Sequence, residues 1–66
     1  MSPRPYVLAE TNWKAIRELK VEVAVLPWGA TEAHNYHLPY GTDTLQCDYV
    51  AAEAARRAWQ GGARVV

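Results

Sequence analysis

Four side chains able to bind a metal ion fall between positions 32 and 43: Glu32, His34, His37 and Asp43. On extended backbone a carboxylate and an imidazole two positions apart point to the same side, whereas on a helix they diverge by about 200°. Pro27, Gly29, Pro39 and Gly41 surround these residues and favour extended or turning backbone. Glu32 and His34 can therefore reach one cation. Asp43 follows a stretch able to fold back on itself, and its two oxygens allow it to bridge two cations. Mixed carboxylate and imidazole donors suit Zn²⁺ or Mn²⁺ better than Ca²⁺ or Cu⁺.

Each of these residues also has a plainer role. Asp43 with Gln46 three positions on makes a reasonable capping box for a following helix. A Glu-x-His pair arises often by chance. His37, before Leu38-Pro39, can be an ordinary loop histidine, with a supporting or substrate-facing role as the alternative. Trp28, Tyr36 and Tyr40 are first of all packing residues, although aromatics on a functional loop can line a substrate pocket. Cys47 reads as a buried, inert thiol.

The flanking segments supply the scaffold. Thr11 can cap a short amphipathic helix over residues 12–20, in which Trp13, Ile16 and Leu19 recur at helical spacing. Val21, Val23 and Val25 alternate along residues 21–27, and the run Val23–Leu26 predicts a strand covered on both faces. Residues 28–43 form the long connection that carries the candidate site. Cys47, Val50, Ala51, Ala54 and Ala58 then place a narrow stripe of small residues on a helix over about 44–60. Gly61 and Gly62 end that helix, and residues 63–66 read as the start of a second strand. The expected fold class is α/β: an N-terminal βαβ portion of a larger three-layer α/β domain with a mainly parallel sheet.

Composition narrows the class further. Sixty-six residues with one cysteine allow one small unit without an internal disulfide. Seven basic and seven acidic side chains cancel, so no nucleic-acid partner is expected. No apolar run approaches the ~20 residues of a membrane span, so no membrane partner is expected either. A lone thiol without a signal peptide suggests a cytoplasmic setting.

In order and spacing, Leu26-Pro27, Gly29, Thr31-Glu32, His34, His37-Leu38-Pro39 and Thr42-Asp43 resemble the signature of the creatininase (creatinine amidohydrolase) family, P-x-G-S-x-E-Q-H-G-P-H-L-P-x-x-x-D. The resemblance covers essentially the whole chain but about the first quarter of a usual family member. It implies a metal-dependent amidohydrolase that breaks the C–N bond of a cyclic or linear amide through a dinuclear site with a bridging hydroxide. By that resemblance Glu32 holds one metal, His34 the other, and Asp43 bridges the two. The ions implied are Zn²⁺ and/or Mn²⁺, with Fe²⁺ as a further option. His37 is a candidate general acid, although a residue from a later segment suits that role better. The remaining ligands, a His and a Glu, belong to later segments in the family, so these 66 residues alone are expected to be inactive.

The implied partners are a small-molecule amide and further copies of the chain, up to a hexamer. Three departures, Ala33 for Gln, Asn35 for Gly and Tyr36 for Pro, remove no ligand but are expected to reshape the loop beside the site. They keep a second reading in play: a catalytically silent relative that binds metal or ligand as a structural or regulatory subunit.

Overall fold

A computed structural model describes residues 2–66. A single 3-10 turn, Leu8–Glu10, precedes two helices, α1 at Trp13–Leu19 and α2 at Thr42–Gln60. The cap of α1 is Asn12 rather than Thr11: the Asn12 side chain accepts from the Ala15 amide at 3.0 Å. Thr11 stands one position outside, and its hydroxyl accepts from the Asn12 amide at 2.6 Å. Lys20, at φ 55, turns the chain out of α1 in the left-handed region, a common helix ending.

Helix α2 starts at Thr42, with Gly41 as its N-cap and no side-chain capping bond. The Thr42 hydroxyl instead donates back to the Pro39 carbonyl at 2.6 Å. Asp43 therefore lies in the first turn of α2 and does not cap it, so the capping-box reading fails. At the other end the Gly61 amide donates to the Arg57 and Ala58 carbonyls. Gly62, at φ +100, then makes the turn that a side chain would resist.

The expected βαβ unit and parallel sheet are absent among the described residues. Segments 21–27 and 63–66 meet through one isolated parallel bridge, Val23 to Val65. Backbone bonds from Glu22 to Arg64 (2.8 Å), Val25 to Val66 (2.7 Å) and Val66 to Val23 (3.0 Å) hold them together. A pair of short segments with no third strand is marginal, and parallel pairing is slightly the weaker kind. The alternating valines had suggested a covered strand, but Val23 is 54% and Leu26 74% exposed. Apolar alternation favours extended backbone; it does not create neighbours.

The core is correspondingly small. Among the described residues its buried hydrophobic side chains are Ala55 and Val65, 4% and 3% exposed. The Cα radius of gyration is 14.2 Å, against about 11 Å for a compact domain of this length. The buried side of α2 is also turned from the expected stripe. Ala54, Ala58 and Val50 are exposed, and the covered ridge runs Asp43, Cys47, Ala51, Ala55, Trp59. These residues are four apart, so they form one row along the helix. Asp43 heads that row. At its foot the Arg64 guanidinium lies 4.7 Å from the centre of the Trp59 ring, an ordinary cation–π distance. Trp13, the first of the apolar residues spaced along α1, is exposed.

Candidate metal centre

Glu32, His34 and Asp43 converge. Each offers a donor atom, and the three donors all lie within 4.8 Å of one another. The Nε2 atom of His34 stands 3.3 Å from Asp43 Oδ2 and 3.7 Å from Glu32 Oε2. Two ligands held at about 2.0–2.2 Å by one tetrahedral ion are themselves about 3.3–3.6 Å apart. The two His34 spacings fall close to that edge length.

Local structure explains how the donors meet. His34 and Leu38 form an antiparallel bridge across the turn 35–37, and the Glu32 amide donates to the Tyr40 carbonyl at 3.4 Å. The loop is thus a small hairpin, with Glu32 and His34 two apart on its outgoing arm. Its return arm leads through Pro39 into the first turn of α2, which delivers Asp43. Asn35, at φ 60, sits at the tip, and its side-chain oxygen accepts from the Tyr36 amide at 2.9 Å. Asparagine is among the few residues that enter this left-handed region readily. Asn35 therefore takes a conformation that glycine also enters freely.

His34 also carries the strongest local sign of a missing partner. Its Nε2 is buried and makes no hydrogen bond. A buried polar atom left unpaired costs about 1–3 kcal/mol, so such atoms are rare unless something else fills the role. A ring nitrogen lying near two carboxylates fits a cation at that point. The donor set, one imidazole and two carboxylates, suits a borderline divalent metal. On this test the residues present fit the group that the sequence suggested.

His37 does not join them. It is exposed in the turn 35–37 and lies outside the cluster. Trp28, Tyr36 and Tyr40 are exposed as well, so none of the three is a packing residue. An apolar groove of about 440 Å³ runs between the N-terminal arm, residues 25–27 and α2, and its lining includes none of the three donors.

Two features that hold the centre together escaped sequence reasoning. A Cβ on Gly29 would lie 2.7 Å from Thr44 Cα and 2.8 Å from Thr44 N, so the loop passes directly against the first turn of α2. Beside it the Cys47 thiol donates to the Trp28 carbonyl at 3.3 Å. Gly29 had seemed a turn residue and Cys47 an inert one. The spacing of Asp43 and Cys47, four apart on one helical row, was the available signal.

A hairpin-borne Glu-x-His thus faces an Asp from a helix start, a carboxylate–imidazole group that could hold a metal ion. The sequence profile of the creatininase family, described as creatinine amidohydrolase, matches residues 9–66. The chain belongs to that family, whose members are typically metal-dependent hydrolases. No curated protein and no solved structure gives a significant match. Among the described residues no helix is long and apolar enough to cross a membrane.

Proposed function

We propose that the chain carries part of the metal centre of an amidohydrolase acting on the C–N bond of a small cyclic or linear amide. The observation that carries this reading is the convergence of Glu32, His34 and Asp43 around an unpaired, buried His34 Nε2, in a chain of the creatininase family. Asp43 has two carboxylate oxygens and would be the ligand shared between two ions, with Glu32 and His34 as further ligands. Two divalent ions, zinc or manganese, would supply Lewis acidity, lowering the pKa of a water towards about 7 and polarising the amide carbonyl.

The protein's own groups do the rest. Glu32 and Asp43 provide the negative charge that offsets the cations, and His34 must be neutral to offer its Nε2 lone pair. His37, exposed in the turn 35–37, is a candidate to pass a proton to the amide nitrogen, although a residue from a later segment suits that role better. The proposal extends to a cytoplasmic homo-oligomer with a small-molecule substrate.

Metal content per chain, measured by elemental mass spectrometry on wild type and Asp43→Ala, tests the site. Bound zinc or manganese that is lost in the variant supports it; a folded wild type that binds none overturns it. Ring opening of creatinine to its free carboxylate, and release of amine from simple formamides, test the reaction. One observation favours a second reading, a metal-binding relative without turnover. Among the described residues the cluster holds three donors, and His37 stands apart from it. Stoichiometric metal without hydrolysis of any amide offered would select that second reading.

A further inference from the structure

The donors of the cluster come from two pieces of chain, a hairpin and a helix start, and their spacing depends on how one is fastened to the other. We propose that Cys47 is a positioning residue of this centre: its thiol holds the Trp28 carbonyl and so seats the Glu32–His34 arm against the helical row headed by Asp43. The inference rests on the metal-binding reading above.

Three relationships carry it. Cys47 lies one turn beyond Asp43 on the covered row of α2, and its Sγ is 3.3 Å from the Trp28 oxygen. Gly29, the next residue along the loop, touches the backbone of Thr44, where even a Cβ would have no room. Two consecutive loop residues are thereby fixed to the helix, at the turn next to Asp43. The Trp28 ring, by contrast, is exposed and offers no anchorage, which leaves its carbonyl as the handle. The thiol donates to the Trp28 carbonyl and stands outside the donor cluster. It sets geometry and does not coordinate.

The test uses the full chain with Co²⁺ as the probe metal. Cys47→Ala is expected to weaken Co²⁺ binding about fivefold, the equivalent of one modest hydrogen bond, and Cys47→Ser, which keeps a donor, to restore most of it. In the wild type, alkylation of Cys47 by iodoacetamide should slow in step with Co²⁺ occupancy, because a metal that clamps the loop also protects its fastening. This second readout needs no variant to fold. No thiolate-to-cobalt absorption band should appear. Equal affinity in Cys47→Ala, in a chain where Asp43→Ala abolishes binding, overturns the positioning role alone. An alkylation rate indifferent to Co²⁺, or a thiolate band, also overturns it. Undiminished binding in Asp43→Ala overturns the metal reading and this inference together.

Discussion

His34 Nε2 lies 3.3 Å from Asp43 Oδ2, across a complete reversal of the chain. The hairpin 34–38 and the Pro39–Thr42 turn make that meeting possible, and neither residue gains a hydrogen bond from it that satisfies the His34 nitrogen. Such a contact is costly unless a third body completes it.

Metal should therefore stabilise the chain. Zinc or manganese at about a hundred times its dissociation constant is expected to add about 2.7 kcal/mol to unfolding. The midpoint should rise in thermal melts followed by circular dichroism. In His34→Ala the increment should vanish, and affinity should fall by more than the roughly 10–100-fold usual for groups that merely support a ligand. An unchanged increment in His34→Ala would remove it from the ligand set.

Gly29→Ala should be disruptive although it adds a single methyl group. The new Cβ meets Thr44 backbone atoms at 2.7–2.8 Å, and backbone cannot swing aside as a side chain can. A cost of about 1–3 kcal/mol is expected, as for other overpacked sites. Metal affinity should fall too, since the loop can relieve the clash only by moving off α2. Denaturation and Co²⁺ titration of the same variant check both effects. A variant as stable and as tight-binding as wild type would refute the close approach.

Asn35→Ala should cost about 1 kcal/mol, because alanine pays to occupy φ 60 and loses the bond from the Tyr36 amide. Asn35→Gly should lie closer to wild type, since glycine enters that region freely. Urea unfolding of the two variants side by side decides this. Equal stabilities would mean that the hairpin tip does not require the left-handed region.

Acid should loosen α2 over a definite range. The Arg56 and Arg57 guanidiniums hold the Glu53 carboxyl at about 2, below its ordinary 4.5. A depressed carboxyl stabilises the fold above its unfolded value and loses that contribution as pH falls through the folded one. Helicity at 222 nm should therefore decline between about 4.5 and about 2, modestly because the pair is exposed, and less in high salt. Glu53→Gln should flatten this part of the curve. Glu10, held at about 2 by Arg4, titrates in the same window, so the comparison must be made against Glu53→Gln and not against wild type alone.

Local chemistry was legible in the sequence. The candidate donors Glu32, His34 and Asp43, the helix-stopping pair Gly61–Gly62 and the family signature all depend on residue types at short spacing, which the sequence states directly. Glu53 and Arg57, four apart on α2, pair at 3.1 Å as that spacing allows. Three things were decided only by the tertiary structure. Asp43 turns towards His34 instead of capping α2, because Gly41 and the Thr42–Pro39 bond already set the helix start. The covered row of α2 runs through Cys47 and Ala55, with the Trp28 carbonyl seated on Cys47, and helical periodicity is blind to such neighbours. The valine-rich segments make a bridge and no sheet, because a strand exists only in its pairing, and pairing is a non-local fact that alternation along one segment cannot contain.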